Sequence, residues 1–265
     1  MGSSTLKTAV VTGASSGIGE ACCRTLASRG WRVFLVARRG DRLEQIAGET
    51  GGHAIVLDVT QAREEDLVQI SECDLLVNCA GGAIGLDAVD RASAEDWTNM
   101  FNSNVLGTLL MTQLMLPRLI ASQGAIVNIT STAALASYEG GGGYCAAKSA
   151  QRALTHSLRL EMKGVPVRIT EVLPGMVHTP EFSLKRFHGD AERVNAIYED
   201  VDRPLSADDV AQVVAWVADQ PAHVNVDEIV VRPVAQRAQH ALFRGSLGWL
   251  EQQRADKSPL NEGAR

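Results

Sequence analysis

Aromatic residues are scarce in this chain: 5% of 265 residues, with three tyrosines. Lysine is scarce too, at five. A tyrosine and a lysine sharing one helix face are therefore conspicuous when they occur. Positive charge is in deficit overall, and the net charge of −6 argues against nucleic acid or an anionic membrane as a partner. No apolar run is expected to reach the length of a bilayer span, and no secretory apolar core follows Met1. The five cysteines (Cys22, Cys23, Cys73, Cys79, Cys145) are odd in number, lack Cys-x-x-Cys spacing and lie in apolar segments. They read as buried, reduced thiols of a cytoplasmic protein that holds no metal. Internal repeats and linkers are absent. At 45% hydrophobic and 21% charged, the composition fits one large globular domain or two small ones.

What is present alternates. Short apolar, β-branched runs at 8–12, 31–37, 54–59, 74–79, 125–129, 167–173 and 226–231 are separated by helical patterns. Continuous apolar strands alternating with helices predict a parallel sheet covered on both faces. Seven of them predict a single α/β domain, doubly wound and of the Rossmann type. The domain is expected over 5–235, followed by a polar tail over 236–265 with a disordered stretch at 255–265. The amphipathic pattern at 93–119 reads as two consecutive helices continuing to Pro117. A further helix is expected at 144–163, and another at 205–220 with Ser206 as N-cap and Asp209 completing a capping box. Residues 181–203 are charged and irregular and read as a substrate lid with one or two short helices. Ligands in such a fold bind at the carboxyl ends of the strands, and the unusual residues collect there.

Three of these residues suit acid–base chemistry. The stretch 126–160 reads as strand, Ser/Thr-rich strand end, glycine loop and amphipathic helix. Tyr144 and Lys148 are four apart, hence on one helix face, and the loop folds Ser131 back towards them. A phenol beside an ammonium, with a hydroxyl opposite, suits proton transfer on a substrate oxygen. A free phenol titrates near ~10, too high for a base at neutrality; a neighbouring ammonium lowers it, against the opposing effect of burial. Upstream, Gly13-Ala-Ser-Ser-Gly17-Ile-Gly19 follows the first strand and opens a helix, which lets backbone approach a pyrophosphate at a helix N-terminus. Arg38 and Arg39 end the second strand, where a guanidinium favours the 2′-phosphate of NADP; the competing reading is a solvated arginine pair. Asp58 bonds an adenine edge or caps the next turn. Asn78 pins neighbouring strands or is simply a polar strand end. Asn104, unfavourable in mid-helix, has a specific role or is a polar interface residue.

The ordered set Thr12-Gly-Ala-Ser-Ser-Gly-Ile-Gly19, Asn78-Cys-Ala-Gly81, Asn104-Val-Leu-Gly107, Ser131, Tyr144-Cys-Ala-Ala-Lys148 and Pro174-Gly175 resembles the short-chain dehydrogenase/reductases. Arg38 matches their NADP-preferring branch. The stretches 181–190 and 221–236 are similar to bacterial NADP-dependent 3-hydroxy acid (serine-type) dehydrogenases and, over the last strand, to clavulanate-dehydrogenase-like reductases. The resemblance implies an NADP(H)-dependent oxidoreductase interconverting a secondary alcohol or hydroxy acid and its carbonyl by hydride transfer. It implies Tyr144 as acid/base, Ser131 orienting the carbonyl, and Lys148 lowering Tyr144 and bonding the nicotinamide ribose. It gives Asn104 a water that links Lys148 to solvent. It places NADP against Gly13, Ser15, Ser16, Gly17, Ile18, Gly19, Arg38, Arg39, Asp58, Val59, Asn78, Ala80, Gly81, Tyr144, Lys148, Pro174, Gly175, Val177 and Thr179. A homotetramer built on the two long central helices is implied as well.

Two departures stand out. Asn-Cys-Ala-Gly replaces the usual Asn-Asn-Ala-Gly, and four glycines at 140–143 are expected to make the loop before Tyr144 unusually flexible. Substrate choice stays open. Arg186 or Lys185 meets a substrate carboxylate or is solvated, and Met176, Phe182 and Leu184 offer an apolar wall, so a hydroxy acid or an uncharged ketone fits. The alternative from another class is a non-catalytic NADP-binding redox sensor, against which the Tyr144/Lys148 pair argues.

Overall fold

The computed structural model of the chain describes residues 6–187 and 189–249. Seven parallel strands, β1 Thr8–Thr12, β2 Arg32–Ala37, β3 His53–Val56, β4 Leu75–Asn78, β5 Ala125–Ile129, β6 Arg168–Pro174 and β7 Glu228–Val231, form one sheet in the order β3-β2-β1-β4-β5-β6-β7. The chain turns back between β1 and β4, and the crevice at their carboxyl ends is where such sheets take ligands. β1, β4 and β5 are buried along their whole length, which is why they read as unbroken apolar runs.

The helices in chain order are α1 Gly17–Ser28, α2 Gly40–Thr50, α3 Ala94–Phe101, α4 Gly107–Ser122, α5 Gly142–Glu161, α6 Pro180–Arg186, α7 Ala191–Tyr198 and α8 Ala207–Ala218. α1, α2 and α8 cover one face of the sheet, burying Leu26, Leu43, Ile46 and Val214. On the other face α4 sets Met111, Met115 and Leu119, four residues apart, against Leu76 and Ile126. Each fully buried side chain of this size contributes about 1.5–3 kcal/mol. α8 opens with the expected capping box: Ser206 Oγ accepts from Asp209 N and Asp209 returns a bond to Ser206 N.

The helical pattern that starts at Ser93 runs further than its sequence suggests. α3, a π-turn at Asn102–Leu106 and α4 form one run, Ala94–Ser122, with Pro117 inside α4. Pro117 and Gln113 both face outward, so the carbonyl that loses its i+4 donor lies on the solvent side. One 18-residue window of this 29-residue run has a mean hydropathy of 1.4, apolar enough by length and composition alone to cross a membrane, contrary to the expectation of no such segment. Its buried side packs on the sheet.

α6 and α7 form the region expected to be the lid and lie across the carboxyl end of the sheet. Tyr198 anchors them, donating to Val177 O at 3.0 Å, with Ser183 Oγ 2.9 Å away. The segment expected to be a loose tail packs on the domain over 236–249. Strands β8 Gln236–Ala238 and β9 Ala241–Leu242 pair antiparallel, Thr132 Oγ1 donates to Gln239 at 2.8 Å, and Trp249 Nε1 donates to Asp202 at 2.9 Å. Polar side chains make these contacts, so hydropathy does not announce them. The stretch 255–265 lies outside the described residues.

Candidate active site

α5 starts at Gly142, two residues before Tyr144. The glycines before Tyr144 serve close packing. A Cβ on Gly143 would lie 2.9 Å from Trp97, one on Gly142 3.0 Å from Trp97, and one on Gly140 3.1 Å from the Leu86 carbonyl carbon. α3 thus presses directly on the turn that delivers Tyr144.

Ser131, two residues past β5, is extended, caps the turn Thr132–Ala134 and accepts from Ala133 N at 3.1 Å. Its hydroxyl stands close enough to the Tyr144 phenol to lower it. Burial pushes that phenol up from its ordinary value, and Tyr138 pushes the same way; the Ser131 hydroxyl and the Arg186 guanidinium pull it down. Lys148 is buried 5.8 Å from the Tyr144 ring centroid, and its Nζ donates to Ile129 O at 3.0 Å and Gln151 Oε1 at 2.8 Å. Burial lowers the ammonium to about 8, opposed by Cys79 and Glu171. Ser131 and Arg186 are thus among the groups that lower Tyr144, while the Lys148 ammonium spends two of its protons on Ile129 and Gln151.

The bonds continue beyond Lys148. Gln151 Nε2 donates to Thr108 Oγ1 at 2.9 Å, and Thr108 Oγ1 donates to Asn104 O at 2.8 Å. Gln151 and Thr108 escaped the sequence reading; the signal was two polar residues on the buried sides of α5 and α4. Asn104 sits in the π-turn and is fully buried. Its amide clamps the strand end after β4: Nδ2 donates to Gly82 O at 2.9 Å and Met100 O at 2.7 Å, and Oδ1 accepts from Gly82 N at 3.2 Å.

The other strand ends build a cradle. Thr12 Oγ1 accepts from Cys79 N and Ala80 N, both at 3.0 Å, and ties β1 to β4. Asn78 Nδ2 donates to Asn128 Oδ1 at 2.9 Å and Thr112 Oγ1 at 3.1 Å, pinning β4 to β5 and α4, while its Oδ1 is buried without a partner. Gly13 has φ +68°, and a Cβ there would sit 2.9 Å from Ala80 N. A Cβ on Gly19 would sit 2.7 Å from the Gly13 carbonyl carbon, and one on Gly81 2.9 Å from Asn104 Cγ. Ile18, in the first turn of α1, packs against the core, and Val59 lies buried beneath Gly107. Asp58 caps the turn Val59–Gln61 through Thr60 N at 3.0 Å and faces Arg38 at 3.7 Å. Pro174 ends β6; Gly175 N donates to Val231 O at 2.7 Å, and Val177 bridges to Leu205. Thr179 stands 3.4 Å from where a Gly17 Cβ would be.

At the outer end of the cradle, Arg39 donates to Ser15 Oγ at 3.2 Å and Ser15 O at 2.9 Å, and Arg39 Nη2 pairs with Glu181 at 2.7 Å. Burial pushes the Glu181 carboxyl up, but Arg39, and after it Ser16, hold it below its ordinary value. A glycine-lined helix N-terminus beside two guanidiniums, one already holding an anion, fits a phosphorylated dinucleotide. At the inner end, Arg186 Nη2 donates to Tyr138 Oη at 2.8 Å, Arg186 Cζ stands 5.9 Å from the Tyr144 ring centroid, and Phe182 meets Tyr144 edge-on at 5.9 Å.

Behind the site, the fully buried Glu171 accepts from Thr130 Oγ1 at 2.7 Å and Arg152 Nη1 at 2.7 Å. His156, Glu171 and Glu228 bring their polar atoms within 4.8 Å of one another, a grouping the sequence spacing did not reveal. Arg152 bonds both carboxylates, so the cluster reads as a charge network that holds the strand end at Thr130.

A model of the short chain dehydrogenase family matches residues 7–187. The chain belongs to that family. Among its relatives in the family, an uncharacterised oxidoreductase of Mycobacterium tuberculosis is 53% identical over 242 residues, covering 88% of this chain and 96% of the relative. An NADP-dependent 3-hydroxy acid dehydrogenase of Salmonella typhimurium is 38% identical over 236 residues, covering 86% and 95%. A solved structure of the closed form of serine dehydrogenase complexed with NADP+ has a TM-score of 0.82 at 35% identity, covering 86% of this chain and 96% of that one. The seven-stranded doubly wound sheet is thus the fold of a short-chain dehydrogenase.

Proposed function

We propose that this dehydrogenase interconverts a 3-hydroxy acid and the corresponding 3-oxo acid with NADP(H), using Tyr144 as acid/base. The chain is an oxidoreductase of the NADP-dependent kind that acts on CH–OH groups, in line with its family and relatives. The observation that carries the substrate class is Arg186, fixed between Tyr138 and Tyr144. Its planar fork matches a carboxylate and stands beside the phenol that handles the substrate oxygen.

NADP, held by the glycine cradle and Arg38/Arg39, supplies the hydride acceptor or donor. The Ser131 hydroxyl and the Tyr144 phenol hold the substrate oxygen between them. Tyr144 takes its proton in oxidation and returns it in reduction. The Lys148 ammonium, when charged, favours the phenolate, and the bonds through Gln151 and Thr108 hold it in place. Phe182 and Arg186 on α6 cover the phenol and limit access of water.

The working form is proposed as a cytoplasmic homotetramer. All five cysteines are free, which suits a reducing compartment. Phe101, Leu106, Ile120 and Leu160 leave apolar surface on the central helices. Light scattering at about four times the 28.3 kDa chain mass supports this assembly, and a monomer rejects it.

The functional test follows NADPH formation with serine, 3-hydroxypropionate and an uncharged secondary alcohol. Tyr144→Phe is expected to lose about 10²–10⁴-fold in turnover while still binding NADP; full turnover in that variant rejects the acid/base. Arg186→Leu is expected to raise KM for the acids about tenfold or more and leave the uncharged alcohol unaffected. Equal effects on both substrates reject the carboxylate contact.

A further inference from the structure

α6 carries a second pair of charges that its position over the substrate does not explain. Glu181 and Lys185 are four residues apart and share one face of the helix. That face points to the outer end of the cradle, where Glu181 pairs with Arg39 at 2.7 Å. Lys185 is pushed down first by burial and then by Arg38 and Arg39. Among the described residues no carboxylate lies within ion-pair distance of Lys185. Arg38 meets only Asp58, at 3.7 Å, with its side chain 69% exposed. Three cations from two separate segments thus stand near one another, with two carboxylates, Asp58 and Glu181, beside them.

Like charges converge at such cost only where an anion offsets them. A phosphate monoester carries about −1.5 to −2 charges and three acceptor oxygens, against one charge and two oxygens for a carboxylate. Arg39 and Ser15 stand at the end of β2 and on the glycine loop, which puts this spot on the adenosine side of the dinucleotide.

We propose that Lys185 joins Arg38 and Arg39 as a third cation for the 2′-phosphate of NADP, and that Glu181 is an internal anion which the phosphate displaces. The proposal rests on the NADP reading above and extends it from β2 to the lid. α6 then reports cofactor identity to the substrate end. The helix that binds the phosphate through Lys185 also carries Phe182 and Arg186 over Tyr144.

The experiment is calorimetric titration of the full chain with NADP+ and with NAD+, at low and high salt. For Lys185→Met, NADP+ binding is expected to weaken about tenfold, with NAD+ binding unchanged. For Glu181→Gln, NADP+ binding is expected to tighten about threefold or more, again with NAD+ unchanged. The wild-type preference should shrink with salt, and more steeply than in Lys185→Met. Equal weakening of both cofactors in Lys185→Met, or no change in either, overturns the third cation. Unchanged or weaker NADP+ binding in Glu181→Gln overturns the displaced anion. A wild-type chain that binds NAD+ as tightly as NADP+ shows instead that the NADP reading has failed. The melting temperature of each variant confirms its fold, and both side chains are exposed enough to be changed without repacking the core.

Discussion

Lys148 gives its protons to a main-chain carbonyl and to Gln151, so the side chain at 151 sets how long Lys148 keeps its charge. Burial holds Lys148 at about 8, and the charged form is lost as pH rises through that value. Gln151→Glu places a carboxylate there and raises it. The alkaline fall of kcat is expected to move upward by about one unit or more. A pH–rate profile identical to wild type rejects this role for Gln151. Legibility at this scale followed spacing. Tyr144 and Lys148 are four apart on one helix, and Ser131 ends the preceding strand, so the pattern itself brings them together. Gln151, Thr108 and Asn128 act across different elements, and no local spacing records which helix meets which. Arg186 was seen as a candidate, but its distinction from Lys185 needed the direction in which α6 points each side chain.

Among the elements, the strand–turn–helix unit from β1 to α1 depends on close backbone approach. Gly19→Ala puts a Cβ against the Gly13 carbonyl, which has no side chain to move aside. The loop must open, so cofactor binding is expected to weaken about tenfold or more and stability to fall by about 1–3 kcal/mol. Titration with NADP+ and urea unfolding measure both, and a variant matching wild type in each rejects the steric argument. The inner strands were readable because burial on both faces leaves an unbroken apolar signature, and the partly exposed edge strands β3 and β7 through their β-branched residues. The β8–β9 hairpin was not, because its contacts come from polar side chains such as Gln236 and Gln239.

For the molecule as a whole, the buried thiols set an alkaline limit. Cys73 is fully buried, and burial lifts its thiol from 9.0 to about 12. The folded chain keeps this proton where the unfolded chain releases it. The contribution is complete below the unfolded value and is lost progressively as pH rises from there towards about 12. Between pH 9 and pH 10 this one thiol is expected to cost about 1 kcal/mol. Cys73→Ala should therefore show a shallower loss of unfolding free energy over that interval; an unchanged slope rejects the attribution.

The π-turn at Asn102–Leu106 has a consequence for how this protein can change length. An α-helix advances about 100° per residue, so the wider turn sets the angular phase between α3 and α4. Upstream of it, Trp97 and Met100 face the glycines before Tyr144; downstream, Met111 and Met115 face the sheet. The wider turn takes up one residue more than an α-turn over nearly the same rotation, so deleting Ser103 would wind it back to ordinary helix with both sets still facing their targets. A one-residue deletion in the ordinary helix on either side has no such slack: it is a rotation of about 100°, and it forces a choice between the core and the turn that delivers Tyr144.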